Sequence, residues 1–207
     1  MNPSPLPRQR LSGPERRSAI VDSAVDLFSE RGFRGTTTRE LAATVGVSEP
    51  VLYQHFSTKR ALYDAILEAK TAETAPGTEE ELTTLSRAGD NRALFTRLAE
   101  LLLDFYVRDP RYSRLLMFSA LERHELSRLF YERHVACFYE FLTRHIKQQM
   151  DVGVFRPMDP LVAARAFAGM VAHQGLIFSV LHPGNLPAPQ PVIIQTLVDL
   201  FLGGITA

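Results

Sequence analysis

The chain has 207 residues, 45% hydrophobic and 22% charged, with 23 basic and 23 acidic side chains and no net charge. That length holds two modest domains or one module plus a larger core, and the balanced charge rules out nucleic-acid binding by bulk basicity alone. The single cysteine, Cys137, rules out an internal disulfide; its place in a helical pattern reads as a small buried hydrophobe, suited to a reducing cytoplasm.

The opening MNPSPLPRQR is proline-rich and basic and has no apolar run, so residues 1–11 read as a disordered arm and not as a secretory signal. A minor-groove role for Arg8 or Arg10 is the sharper alternative. Ser12 and Glu15 then have capping-box spacing with Pro14 in the first turn. Ile20, Ala24, Leu27 and Phe28 follow at helical spacing until Arg31 and Gly32 close the helix. Thr37 and Glu40 repeat the capping box, so a second helix begins at Thr38, with Leu41, Ala42 and Val45 as its apolar stripe. Gly46 allows a tight reversal, and Val47 plugs the corner. Ser48 caps a third helix, with Pro50 where its missing amide costs nothing. Leu52 and Phe56, four apart, face inward. That leaves Glu49, Pro50, Val51, Tyr53, Gln54 and His55 on the leading surface, the end that enters a major groove in a helix-turn-helix. So short a helix needs a scaffold to hold it.

These residues carry a resemblance. Phe28 and Gly32, the threonine run before the second helix, Gly46-Val47-Ser48, Leu52-Tyr53-x-His55-Phe56 and Lys59-x-x-Leu62 fall in the order and spacing of the DNA-binding domain of the TetR family of bacterial transcription regulators, over roughly residues 10–69. The resemblance implies that Thr38 holds a phosphate through its hydroxyl and amide, and that Arg39 reaches phosphate or a guanine edge. Tyr53 and His55 would clamp the backbone, and Lys59 would bind phosphate. Ser48 stands at the turn; Val51 offers apolar contact to a thymine methyl, and Gln54 reaches adenine or phosphate. Glu49 departs from the family's small residue, and is either a reader of a cytosine amine or a solvent-facing spectator. Taken singly, Tyr53 could merely cap the core and Lys59 could be an ordinary solvated charge. Residues 1–60 hold nine basic side chains against six acidic ones, a small surplus pointing the same way.

After Leu62 the helix is expected to continue through Ala65, Ile66 and Ala69 as a link to the rest of the chain. Ala75-Pro76-Gly77 breaks it, and the acidic stretch to Asp90 reads as a loop with at most one short helix. From Asn91, Leu94, Leu98, Leu101, Leu102 and Phe105 make an apolar helical face, with Asp104 and Arg108 paired outside. Asp109-Pro110 starts a helix to about Leu121, and another runs from about Glu125 to Val152, with the boundary between them left open. Asp159-Pro160 opens the next, His182-Pro183-Gly184 closes it, and a last helix spans about Pro191 to Leu202. No stretch alternates at period two. The expected fold is all-α: a homeodomain-like three-helix module with its link over 12–69, and a helical bundle for ligand binding and dimerisation over 70–207.

Between Ala166 and Ala207 the only charged side chain is Asp199, so these helices must be covered on most sides. Ala166 to Leu181 is shorter than the roughly 20 apolar residues of a bilayer span, and it carries Gly169, His173, Gln174 and Gly175, which argues against a membrane. The resemblance implies a homodimer through the last two helices, with Gly169, Ala172, Leu176, Ile177, Val180, Val198 and Leu202 at the interface; the plainer reading makes them this protomer's own core. Phe105, Met117, Phe118, Leu121, Phe138, Phe141, Met170, His173 and Gln174 combine aromatic and flexible side chains with polar tips, as a small-molecule cavity would, although ordinary packing explains them equally. Arg123, Arg128, Arg133 and Arg144 read as a solvated face. His134 and His145 lie three turns apart, about 16 Å, too far to share a metal. No HExxH, CxxC or GxSxG spacing occurs, so neither cofactor nor catalysis is expected. The function implied is a cytoplasmic, ligand-responsive regulator, most simply a repressor, that binds a palindromic duplex operator. The alternatives are a helical ligand-binding or interaction protein with an idle DNA head and, remotely, an all-helical enzyme.

Overall fold

The computed structural model describes residues 12–73 and 75–207, so the expectations placed on residues 1–11, including Arg8 and Arg10, lie outside the described residues. Eleven helices and no β-strand occur among the described residues; the one isolated bridge pairs Phe155 with Thr206.

Local signals place the first helices where the sequence reading has them. Helix α1 (Gly13–Arg31) starts on the Ser12/Glu15 capping box, and α2 (Thr38–Val45) on the Thr37/Glu40 box. Gly46 ends α2 in the left-handed conformation, φ 73°. Helix α3 (Glu49–His55) has Pro50 in its first turn and ends at Phe56, and α4 (Lys59–Thr71) is capped by the Thr58 hydroxyl, which accepts from the Ala61 amide.

The acidic stretch departs from expectation: α5 (Thr78–Ala88) is a full helix of 11 residues, opened by Gly77 and closed by Gly89. Glu79, Glu80 and Glu81 sit in its first turn, where carboxylates complement the helix dipole, and Leu82 and Leu85 pack on the bundle core. Helices α6 (Asn91–Val107) and α7 (Pro110–Leu121) follow, each capped by an aspartate, Asp90 and Asp109. The open boundary resolves into an elbow at residues 122–124, with Arg123 at φ 53°. Beyond it α8 (Glu125–Phe130) passes through one π turn (Tyr131–Val135) into α9 (Ala136–Asp151). Helix α10 (Pro160–Leu176) ends in a second π turn (Ile177–Leu181), and α11 (Gln190–Ile205) completes the chain.

Two apolar cores result. The first gathers α1 to α4 around Ile20, Phe28, Leu41, Leu52, Phe56 and Ile66, and extends into Tyr112, Leu115, Leu126 and Leu129 of α7 and α8. The three-helix head therefore shares its core with the bundle. The second joins α6, α9, α10 and α11 around Phe95, Phe167 and Phe201. Val198, expected at the dimer interface, is 0% exposed inside it and belongs to the protomer's own packing. Cys137, expected to be buried, is exposed on α9.

The length argument against a membrane helix also needs correction. The helical run Pro160–Leu181 has 22 residues and is apolar enough to cross a bilayer by length and composition. It carries Arg165, and its Ala163, Ala164, Phe167, Ala168 and Val171 pack within the bundle, so its apolar character has a use inside the fold.

Candidate nucleic-acid interface and ligand cavity

The α2–α3 pair presents one continuous exposed surface. Arg39, Ser48, Pro50, Tyr53, Gln54 and Lys59 are exposed, while Thr38, Glu49, Val51 and His55 are half-buried at its edge. Tyr53, at 44% exposure, points away from a core that Leu52 and Phe56 fill at 2% each. Ser48 caps α3 through its backbone but makes no side-chain capping bond, so its hydroxyl remains available.

Glu49 is half-buried and makes a bond within the head. The Thr38 hydroxyl donates to Glu49 Oε1, which ties the N-termini of α2 and α3 together and sets a carboxylate against both dipoles. That bond engages the proton of the Thr38 hydroxyl. Arg17 is a residue that the sequence reading passed over. Its guanidinium lies 4.2 Å from the Phe56 ring centroid and donates to the His55 carbonyl at 3.0 Å, pinning the end of α3 to α1. Its position on the exposed face of an ordinary helix gave no local signal.

The turn between α1 and α2 is held from the other domain. Glu122, at the α7–α8 elbow, accepts from the backbone amides of Phe33 and Arg34 at 3.0 and 3.1 Å. His124 stacks on Phe33, centroids 3.8 Å apart, and its Nε2 is 3.1 Å from the Tyr63 hydroxyl on α4. Burial pushes the His124 imidazole below its ordinary pKa and raises the Tyr63 phenol to about 12.

A cavity of about 380 Å³ lies where α4, α5, α6, α9 and α10 meet the first π turn. Leu98, Leu101, Leu102, Phe105, Phe130 and Phe138 make most of its wall, and Lys70, Thr71, Tyr106, His134 and Tyr139 supply polar tips. Of the side chains expected to line a pocket, Phe105 and Phe138 do so. Met117 and Leu121 lie on the surface, at 39% and 77% exposure. Phe118 packs beside Gly32, Phe141 and Met170 pack on the second core, His173 is exposed and Gln174 is half-buried outside the lining. Gly169 and Ala172, expected at the dimer interface, also border the cavity. Leu176, Ile177, Val180 and Leu202 are half-buried. The exposed apolar stripe runs through Val162, Ala166, Gly169 and His173 on α10 and through Val192, Thr196, Leu200 and Gly203 on α11.

Buried Leu67 and Lys70 and exposed Thr71, in the last turns of α4, belong to the cavity wall, while Lys59 at the other end of that helix lies on the exposed face of the head. Lys70 is buried, paired with Glu73 at 2.8 Å and 4.8 Å from the Tyr112 ring centroid. Asp64 of α4 meets Arg133 of the π turn at 2.9 Å, and Arg60 meets Glu125 of α8 at 3.0 Å. One helix thus touches both sites.

Comparison with known proteins agrees with this arrangement. The profile described as "Bacterial regulatory proteins, tetR family" matches residues 20–66, and that of the "AefR-like transcriptional repressor, C-terminal domain" matches residues 94–204, more than half of the chain. The chain belongs to the TetR family. Among TetR-family relatives, it is 36% identical over 107 residues to the transcriptional activator FasR of Mycolicibacterium smegmatis, spanning 52% of this chain and 48% of FasR. It is 32% identical over 143 residues to the nucleoid occlusion factor SlmA of Marinobacter nauticus, spanning 69% of this chain and 70% of SlmA. The structure of AibR in complex with isovaleryl coenzyme A and operator DNA shares its fold, with TM-score 0.60 and 24% identity over 90% of this chain and 97% of AibR. The TetR-type architecture therefore accounts for both the exposed head and the cavity behind it.

Proposed function

We propose that the protein is a ligand-responsive transcription regulator of the cytoplasm that grips a palindromic DNA operator as a homodimer, releasing it when a small molecule fills the cavity. The observation that carries this reading is α4, whose first residue lies on the DNA face and whose last turn is cavity wall. A ligand that pushes on Leu67 and Thr71 moves the helix from which the head hangs, and so shifts the balance between two head arrangements by its differential affinity for them. The fold shared with AibR, whose structure holds operator DNA, supports the DNA part. The description of the C-terminal profile supports repression.

The test is a gel shift with the DNA upstream of the protein's own coding sequence. Lys59→Ala and Tyr53→Ala are expected to weaken binding about tenfold or more, uniformly across operator variants. Lys59→Ala should also lower the salt slope by about two, one phosphate contact per protomer of a dimer. Binding and salt slope equal to wild type in both variants would remove these residues from the interface.

The dimer is assigned to the outer face of α10 and α11, where Val162, Val192 and Leu200 are 63%, 51% and 65% exposed. Two copies joined there can place their short reading helices one duplex turn, roughly 34 Å, apart. Leu200→Arg, which would bury an unpaired charge at about 3 to 5 kcal/mol, is expected to weaken the dimer by at least about a hundredfold. Sedimentation would show monomers with unchanged helical content. A persistent dimer would place the interface elsewhere.

A further inference from the structure

Beside the cavity, along the seam between α9 and α10, lies a second hollow of about 500 Å³, and Tyr139 lines both. On α10, Ala172, Gly169 and Ala168 line the cavity, and Arg165, on the same stripe one turn nearer the N-terminus, lines the hollow. On α9 the lining passes from Phe138 through Tyr139 and Glu140 to Thr143, Arg144 and Lys147. One seam thus changes from an apolar wall to a charged one, in which Arg144, Lys147 and Arg165 outnumber Glu140.

Two of the three cations of the hollow are not spoken for. Lys147 is bonded to Asp151 at 3.0 Å, but Arg144 and Arg165 form no ion pair with any carboxylate among the described residues; the Arg165 guanidinium carbon stands 5.8 Å from the Tyr139 centroid. The Thr143 hydroxyl oxygen is buried in the same wall without a hydrogen-bond partner, an arrangement that costs stability unless something fills it. A third hollow beside Lys70 offers the contrast. Its Lys70, Arg97 and Arg108 are each already held by a carboxylate, from Glu73, Glu81 and Asp104, so an anion there must displace another anion. Along Arg144 and Arg165 it displaces only water.

We infer that the effector is an amphipathic anion, its apolar chain in the cavity and a phosphate-bearing head along Arg165, Arg144 and Lys147, with the Thr143 hydroxyl donating to it. This rests on the sensor reading of the cavity given above. Arginine forks match phosphate oxygens in pairs, and the guanidiniums of Arg144 and Arg165, unpaired among the described residues, offer more donors than a single carboxylate needs. If a methylene takes about the volume of a water in the liquid, roughly 30 Å³, the cavity holds a chain on the order of ten carbons.

The experiment is displacement of Nile red, a neutral apolar dye, by decanoyl coenzyme A, decanoyl lysophosphatidate, decanoate and coenzyme A. Wild type is expected to release the dye to at least one of the two phosphate-bearing probes at a concentration tenfold or more below that needed for decanoate, and not to coenzyme A alone; which of the two wins tells a nucleotide head from a lipid one. Arg144→Glu with Arg165→Glu, both exposed, should erase that preference and leave dye binding and helical content unchanged. Equal potency of decanoate, or a preference surviving the double variant, overturns the inference while the cavity stands. If Leu102→Trp, which fills the cavity, leaves dye binding untouched, the sensor reading fails and the inference goes with it.

Discussion

Replacing Gly32 by alanine is expected to destabilise the protein by about 2 to 5 kcal/mol, or to lower its melting temperature by roughly 10 °C. Gly32 sits at φ 71°, ψ −177°, a region that essentially only glycine occupies. An added Cβ would also lie 2.3 Å from Glu122 Oε1, so the carboxylate must withdraw from the amides of Phe33 and Arg34. Backbone strain and loss of the clamp therefore act together. Glu122→Ala removes the clamp alone and should show the smaller part of the loss. Urea unfolding of both variants separates the two effects, and a Gly32→Ala protein within about 0.5 kcal/mol of wild type would contradict the clamped turn. The clamp is also the second place, besides α4, where the bundle holds the three-helix head.

Lowering the pH from 7 to 5 is expected to remove about 2 kcal/mol of stability through His145 alone. Its ring is 1% exposed, packed edge-on against Phe95, with Nδ1 2.8 Å from the Ser86 hydroxyl and Nε2 2.7 Å from Asn91 Oδ1. The amide oxygen can only accept, so Nε2 carries the proton and Nδ1 accepts from Ser86. Burial pushes this imidazole from 6.5 down to about 4. In the unfolded chain it takes up a proton near 6.5, in the folded protein only near 4. Between those values the unfolded state binds more protons, so stability is complete above pH 6.5 and falls as the pH drops toward 4. His124 and His134, also lowered by burial, add in the same direction. His145→Gln isolates the effect: it lowers stability at pH 7, but its loss between pH 7 and 5 should be smaller than that of wild type. Equal losses would mean that this ring is not held neutral. Ser86, Asn91 and His145 pin α5, α6 and α9 together, so acid loosens the helices around the cavity first.

Helix starts were legible wherever the signal is a bond closed within three residues. The boxes Ser12/Glu15 and Thr37/Glu40, and the aspartates before Pro110 and Pro160, mark helices that the fold places within a residue of expectation. The acidic run was misleading for a physical reason. Glu79 to Glu81 look like solvated loop in isolation, but they become helix-stabilising once Leu82 and Leu85 anchor the segment on a core made by residues far along the chain. The π turn at Tyr131–Val135 carries no proline or glycine to announce it. Arg17 and Glu122 have partners 38 and 89 residues away, and no spacing rule reaches that far.

By itself, the sequence determined the all-helical fold and the three-helix head with Leu52 and Phe56 inward and Tyr53 outward, because capping bonds, helical periodicity and a glycine at positive φ are set by neighbours within a turn; the family was legible only as a resemblance in the order of its motifs. Only the tertiary structure decided which apolar side chains are core and which are wall. Gly169 and Ala172 border a cavity, Val198 fills the protomer's interior, and Met117 and Leu121 face water. Side chains on one helix of similar chemistry are sorted by what crosses in front of them, and that depends on how helices separated by a hundred residues come to pack.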